Sequence, residues 1–234
     1  MLFKRTFLVL SGLLLIVNAS VLWAGDSASF IDLGFSPDGS IYMFAQYGVK
    51  SGILKSWADL YIVDVERNDF VPEGRISYTH DNSIEAGQDG AGSLYRMIAK
   101  NAALIERYGV SYPNQGLPLY IALNGDPAYE GKKIAFRDFI SGVSYQADLI
   151  ETITGSGKNA RSSFHIVLQS VDTDGEVKNY KIGTPDLQRS SILSYRIKKV
   201  LVAPSGNSLV FVIEMKRYAE NGPDVRYMIE ALSF

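Results

Sequence analysis

Two stretches of this sequence, one in each half of the chain, repeat the plan of a proline- and glycine-containing turn followed by an apolar run. The first has Ser-Pro-Asp-Gly at residues 36–39 and an apolar run at 41–44. The second has Ala-Pro-Ser-Gly at residues 203–206 and an apolar run at 209–213. Proline presets the first turn dihedral and glycine accepts a positive φ, so each turn can connect two strands. The repeat therefore predicts two related β-hairpins.

Equivalent positions in the two copies are held by Phe44 and Phe211, which fall at the same offset from their turn glycines. We expect the two hairpins to lie next to each other, as hairpins of a sandwich or as blade-like sheets. On that arrangement, residues around Phe44 contact residues around Phe211.

The composition fits one globular, β-rich domain over residues 25–234. Of the 234 residues, 47% are apolar and 21% are charged, which supports a core and excludes wholesale disorder. Tyrosine (14 residues) outnumbers tryptophan (2), and β-forming residues are abundant. A net charge of −2 argues against a nucleic-acid partner. Without cysteine, no disulfide can stabilise the fold.

The N-terminal segment, residues 1–24, has the pattern of a secretory signal. Two basic residues precede an apolar run at residues 7–17, and small residues follow. Cleavage after Ala19 or after Ala24 is compatible with this pattern. The alternative is an uncleaved membrane anchor, because residues 7–23 approach the minimum length that spans a bilayer.

The middle of the chain predicts one principal helix near residues 93–107, with apolar residues at three- and four-residue steps. A polar, glycine-bearing loop is expected before it at residues 75–92. An Asp-Gly pair at residues 174–175 predicts a hairpin, and an antiparallel meander is expected there. The strands of this meander are predicted at residues 145–154, 162–171 and 176–182. The fold class is therefore mainly β, a β-rich α+β fold with antiparallel sheets in a sandwich-like or propeller-blade-like arrangement.

The repeats resemble single blades of TolB-like and WD40-like propellers, over residues 29–71 and more weakly over residues 197–234. A propeller needs at least four blades. The stretch between the two copies contains the predicted helix and no third Ser-Pro-Asp-Gly turn.

A closer resemblance covers almost the whole chain after the signal. Five motifs carry it: Phe-Ser-Pro-Asp-Gly at 35–39, Gln-Tyr-Gly at 46–48, Leu-Ile-Glu-Arg-Tyr-Gly at 104–109, Ser-Tyr-Arg-Ile at 194–197 and Arg-Tyr-Met at 226–228. Together they look like the predicted secreted bacterial proteins grouped as DUF2259. The resemblance implies export and a shared fold, and it supplies no catalytic residue.

A polar loop holds one of the two histidines of the chain. His80 is followed by Glu85 and Asp89, residue types that serve as metal ligands and as general bases. These three residues are candidates for a metal site or for a hydrolase centre. The alternative interpretation is a solvent-exposed loop that has neither role. His165 alternates with apolar residues along its predicted strand, which favours a solvent-facing position.

Other catalytic motifs are missing from the sequence. There is no Gly-x-Ser-x-Gly elbow and no Walker-type or Rossmann-type glycine loop. The acidic run at residues 172–176 lacks the glycine and the closing glutamate of a calcium-binding loop. We therefore predict no catalytic residue and no cofactor.

Aromatic residues cluster in and after the first repeat. Alternate positions on the predicted strands could expose a row suited to stacking against a sugar or a peptide. The candidate ligand-binding residues are Tyr42, Tyr47, Trp57 and Tyr61.

Taken together, the sequence favours an exported, non-enzymatic binding or interaction module of the periplasm or cell envelope. Its expected partner is a protein, a peptide or a glycan, and it contacts membrane only if the N-terminal segment is uncleaved. The alternative is a hydrolase or metal-dependent enzyme that uses the loop from His80 to Asp89.

Overall fold

A computed structural model of the chain describes residues 25–50, 52–123 and 130–234. The predicted signal at residues 1–24 lies outside them. The described chain contains thirteen strands, two α-helices and one 3₁₀ turn. The strands are β1 Ser29–Phe35, β2 Ile41–Lys50, β3 Lys55–Asp64, β4 Asp69–Thr79, β5 Leu117–Ile121, β6 Lys133–Arg137, β7 Ser144–Thr154, β8 Arg161–Val171, β9 Val177–Ile182, β10 Arg189–Ser190, β11 Ile192–Val202, β12 Ser208–Arg217 and β13 Asp224–Ser233. The helices are α1 Ala91–Lys100 and α2 Ala102–Arg107, and the 3₁₀ turn is Gly157–Asn159.

The strands form three antiparallel sheets. The first sheet is the meander β1-β2-β3-β4. The second sheet contains β6, β7 and β8 in order, with β9 and β10 both paired to β8. The third sheet has the order β13-β12-β11-β5. The predicted hairpin around the Asp-Gly pair is confirmed, because β8 and β9 pair antiparallel across it.

The third sheet is the middle layer of a sandwich-like stack. Side chains of β12 alternate between two cores. Val210 and Val212 pack with residues of the first sheet, whereas Phe211 and Ile213 pack with residues of the second. Burial on both faces explains why β12 is apolar over five consecutive residues, from Leu209 to Ile213.

The outer face of the first sheet is covered by α1. Leu94 and Met97 of the helix are buried in one cluster with Met43, Leu60 and Ile62 of β2 and β3. The layers therefore run from helix to first sheet, third sheet and second sheet.

The predicted single helix is interrupted at Asn101. Its side-chain amide donates to the carbonyl of Met97 over 2.8 Å. Its own backbone N–H is shared between the carbonyls of Met97 and Ile98, each 3.1 Å away. An asparagine side chain that competes for backbone groups disfavours helix continuation, which accounts for the break.

The prediction of a loop over residues 75–92 was wrong at its start, because β4 continues to Thr79. Ile76 and Tyr78 are partly buried against the cluster under α1, and the residues between them are exposed. This period-two burial is what a strand needs. The charged and hydroxyl side chains that suggested a loop face solvent.

The two repeated turns share one geometry. In each, the residue before the proline donates its N–H, over 2.9 Å, to the carbonyl of the first residue of the next strand. The turn glycines have nearly the same φ, +75° at Gly39 and +74° at Gly206. A Cβ on Gly39 would lie 2.6 Å from the Ser205 hydroxyl, so the two turns are neighbours.

The expected contact between the repeats is made by the residues that flank Phe211. Phe44 shares a buried cluster with Val210 and Val212 between the first and third sheets. Phe211 itself points to the second sheet, where its ring lies 6.4 Å from that of Phe136. Phe44 therefore points from the first sheet toward the third, and Phe211 points from the third sheet toward the second. The two repeats lie in successive layers, and the two phenylalanines do not contact each other across one interface.

Candidate functional site

A groove lies where all three sheets meet. It has a volume of about 640 Å³ and is open to solvent. The first sheet contributes residues of β2, β3 and β4. The third contributes the start of β11 and the adjoining ends of β12 and β13, and the second contributes β10 and the segment before it. The lining residues are Phe44, Gln46, Asp59, Tyr61, Phe70, Arg75, Leu187, Arg189, Ser190, Ser191, Ile192, Met215, Arg217, Arg226, Tyr227 and Met228.

The floor of the groove is a row of aromatic rings set by strand register. Tyr61 lies directly across from Phe44 on β2 and from Arg75 on β4. The ring of Tyr61 is 4.8 Å from that of Phe44 and 5.6 Å from that of Phe70. The row runs from the buried core at Phe44 to a partly exposed ring, since Phe70 is 39% exposed. Such a row offers a rigid apolar surface at low entropic cost.

Two arginines at the groove are exposed. The guanidinium of Arg75 lies 5.0 Å from the ring centre of Phe70, a cation–π contact. Arg217 is the last residue of β12. Within the described residues, no carboxylate oxygen lies within 4.0 Å of either guanidinium. Both charges are therefore available to an anion.

Arg226 is fixed by the protein. It contacts the carboxylate of Asp224 at 3.1 Å and donates to the backbone carbonyls of Asp26 and Val225. Its guanidinium also stacks 4.3 Å from the ring centre of Trp57. Burial lowers the pKa of Arg226, and the nearby carboxylates oppose that shift. Its donors are largely used, so Arg226 forms a wall of the groove.

Arg189 is likewise held in place. It lies 3.6 Å from the carboxylate of Glu230 and stacks 5.0 Å above Phe164. Glu230 also accepts a hydrogen bond from the amide of Asn68 in the β3–β4 turn. Burial raises the pKa of Glu230, although these two partners lower it in part. One carboxylate thus ties together residues from all three sheets.

The polar centre of the groove is organised around Gln46, which is 3% exposed. Its side-chain oxygen accepts the backbone N–H of Tyr227 over 2.8 Å. Its amide donates to Asp59 over 3.3 Å and to the hydroxyl of Tyr61 over 3.4 Å. Burial, with the nearby carboxylate of Asp59, raises the pKa of Tyr61 to about 12. The Tyr61 phenol is therefore neutral at physiological pH.

The four predicted ligand-binding residues do not form one exposed patch. Tyr61 lines the groove. Tyr42 is wholly buried beside Phe44, and Trp57 is buried under Arg226. Tyr47 lies on the other face of the first sheet and packs toward the helix cluster. Whether Tyr42, Tyr47 and Trp57 bind anything stays a prediction.

The loop with the second set of candidates borders a smaller cavity of about 440 Å³. His80 and Asp89 line this cavity, whereas Glu85 does not. The Nδ1 atom of His80 accepts the backbone N–H of Asn82, and Asp89 accepts that of Ala91 at the start of α1. Among the residues that the structure describes, no group of three histidine, cysteine or acidic side chains is placed to hold a metal ion.

Several groove residues were missed at the sequence level. Gln46, Asp59, Arg75 and Arg217 lie on four different strands, and only the pairing of strands and the packing of the sheets bring them together. Two of the motifs that carry the family resemblance do supply groove residues, namely those at residues 46–48 and 226–228. Those two motifs were the sequence signal that could have indicated groove residues.

None of the helices formed by residues 25–50, 52–123 and 130–234 has the length and apolar character needed to cross a membrane.

No curated protein and no solved structure matches this chain. A family model described as "Predicted secreted protein (DUF2259)" matches residues 43–233, which include the whole groove lining. The chain therefore belongs to the DUF2259 family of predicted secreted proteins, and it is an exported protein.

Proposed function

We propose that this exported protein is a non-enzymatic binding protein of the periplasm or cell surface, and that its groove holds an anionic ligand. The observation that carries the proposal is the pair Arg75 and Arg217, both exposed at the groove with no carboxylate partner among the described residues. Guanidinium groups bind carboxylates and phosphates through charge-assisted hydrogen bonds. The protein as a whole has a net charge of −2, so this local excess of positive charge does not follow from its composition.

The rest of the groove supports binding without a large rearrangement. Arg226 and Arg189 are already fixed by carboxylates and by aromatic rings. Gln46 is fixed by the backbone of Tyr227. A site that is organised before the ligand arrives loses less entropy on binding. The volume of about 640 Å³ falls within the range of roughly 300–1,000 Å³ that is usual for small-molecule sites.

The experiment is isothermal titration of the purified exported chain with three anionic probes: trigalacturonate, hexaglutamate and glycerol phosphate. We expect at least one probe to bind, with an affinity that falls as salt is added. The double variant Arg75→Gln/Arg217→Gln should lose about tenfold or more of that affinity.

A matched control is Arg67→Gln/Arg137→Gln, which removes two arginines outside the groove lining. This control should bind as the wild-type protein does. The proposal fails if none of the three probes binds, or if the groove variant and the control bind equally well.

A hydrolase that acts from the His80 loop is the second candidate. One observation favours it: His80, Asp89 and Ser93 line one cavity, where the hydroxyls of Ser93 and Ser56 are 2.7 Å apart. Assays with chromogenic ester and phosphate substrates should then show turnover that His80→Ala abolishes. No turnover by the wild-type protein, or equal turnover by the variant, rejects this candidate.

A further inference from the structure

We infer that the ligand of the groove is an acidic sugar, that is, a short glycan that carries uronate carboxylates, rather than an extended acidic peptide. This inference rests on the proposed binding function and specifies its ligand class. It is drawn from the hydrogen bonding of β13, from the position of Asp59 and from the aromatic floor.

The edge of β13 beside the groove is already occupied by the protein. Peptides commonly bind as an added strand on a sheet edge, which requires free outward N–H groups. The N–H of Val225 donates to the carbonyl of Asp26 over 2.9 Å. The N–H of Tyr227 donates to the side chain of Gln46, and that of Ala231 donates to Asn68 over 2.7 Å. A ligand at these positions must therefore be held by side chains.

Asp59 favours anionic ligands that also carry hydrogen-bond donors over ligands that have only anionic oxygens. Its carboxylate lies in the lining with the arginines, accepts a 3.3 Å hydrogen bond from Gln46 and also interacts with the Tyr61 hydroxyl. An ionised carboxylate accepts hydrogen bonds and repels other anions. A ligand that has only anionic oxygens gains nothing from Asp59, whereas a sugar acid brings hydroxyl donors together with its carboxylate. The combination of two free arginines and one acid matches that mixed chemistry.

The floor of the groove suits a ring-shaped ligand. Tyr61 and Phe70 present adjoining rings, and Arg75 stands above Phe70. A carboxylate that pairs with Arg75 is thereby brought beside this apolar row of stacked and tilted rings. The apolar C–H groups of a sugar ring can pack along this row while its hydroxyls reach Asp59.

The test compares trigalacturonate with its carboxyl-reduced, neutral analogue and with hexaglutamate, using titration calorimetry on the full exported chain. We expect trigalacturonate to bind about tenfold or more tightly than either comparison ligand, since the neutral analogue lacks the arginine contacts and the peptide cannot add to β13. Arg75→Gln/Arg217→Gln should remove this preference.

Asp59→Asn separates the ligand classes. If a sugar hydroxyl donates to Asp59, this variant weakens trigalacturonate binding several-fold, because a charged acceptor becomes neutral. If the natural type of ligand is a peptide or a phosphate, the variant strengthens binding by removing a like charge. The control is Asp174→Asn, in the exposed turn between β8 and β9, which should change neither affinity.

The outcomes are distinct. Binding of hexaglutamate that depends on Arg75 and Arg217, without binding of trigalacturonate, overturns the sugar inference and leaves the proposed function intact. Tighter trigalacturonate binding by Asp59→Asn also overturns the inference. Failure of trigalacturonate, hexaglutamate and glycerol phosphate alike overturns both.

Discussion

Phe44 and Gln46 lie two residues apart on the same face of β2, yet they belong to different halves of the layer between the first and third sheets. Phe44 lies in the apolar half, where it meets Val210 and Val212 of the central strand β12. Gln46 lies in the polar half, where it meets the backbone of the edge strand β13. Where the first sheet packs on the central strand β12, the layer contains apolar side chains. Where it reaches the edge strand β13, the backbone N–H groups of that edge need hydrogen-bond acceptors. The groove opens at that second place, with Phe44 at its inner end.

The largest effect is expected in the apolar half. Phe44→Ala should lower the free energy of unfolding by about 3–5 kcal/mol, because it leaves a cavity among rings that pack on both sides of it. Urea denaturation followed by circular dichroism measures this loss. The control is Tyr95→Ala, at a position on α1 that is 69% exposed, which should change stability by less than about 0.5 kcal/mol. A similar small loss for Phe44→Ala would contradict the assignment of this half as core.

In the polar half, Gln46→Leu should lower the free energy of unfolding by about 1–3 kcal/mol, since the backbone N–H of Tyr227 loses its acceptor. The same denaturation experiment measures the loss. Gln169→Leu is the matched control, because Gln169 makes its side-chain hydrogen bond on the exposed face of the second sheet. Equal losses in the two variants would show that the bond to Tyr227 does not matter.

Glu230 should make the stability of the protein depend on pH in an unusual direction. Burial raises its folded-state pKa above the value of 4.5 that it has when exposed. The folded protein therefore takes up this proton more readily than the unfolded chain does. The contribution of Glu230 to stability is then fully present below pH 4.5 and decreases as the pH rises through the folded-state pKa.

The measurement for Glu230 is the difference in unfolding free energy between the wild-type protein and Glu230→Gln, taken at several pH values from acid to neutral. We expect this difference to shift against the wild-type protein as the pH rises, by about 1.4 kcal/mol for each unit by which the pKa is raised. A difference that stays constant with pH, or that moves in favour of the wild-type protein, would exclude a raised pKa.

The smallest effect on stability is expected from the two free arginines. Arg75→Gln and Arg217→Gln should each change the free energy of unfolding by less than about 1 kcal/mol, because neither side chain has a carboxylate partner among the described residues and Arg75 loses only an exposed cation–π contact. Thermal denaturation at low and high salt checks this expectation. A loss comparable to that of Gln46→Leu would give the arginines a structural role and weaken the case for binding.

Features that depend on neighbouring residues were predicted from the sequence, whereas features that depend on packing between distant segments were not. The Pro-x-Gly turns, the Asp-Gly hairpin and the strands on either side of it depend on neighbouring residues, and the structure has them. The helix break at Asn101 depends on one side chain that competes with the backbone. The groove depends on contacts such as Gln46 with Tyr227, which are 181 positions apart. Alternation placed Tyr42 and Tyr61 on one face of a sheet without showing which of them another sheet would cover.

The position of the third sheet also bears on how an exported chain reaches its folded state. Strands β11, β12 and β13 follow the first and second sheets in the sequence, yet they form the layer between them. A chain that crosses a membrane from its N-terminus onward exposes the inner faces of both outer sheets until these three strands emerge. Neither core can close before that point, so the order of the strands favours an unfolded chain during transport and cooperative folding afterwards.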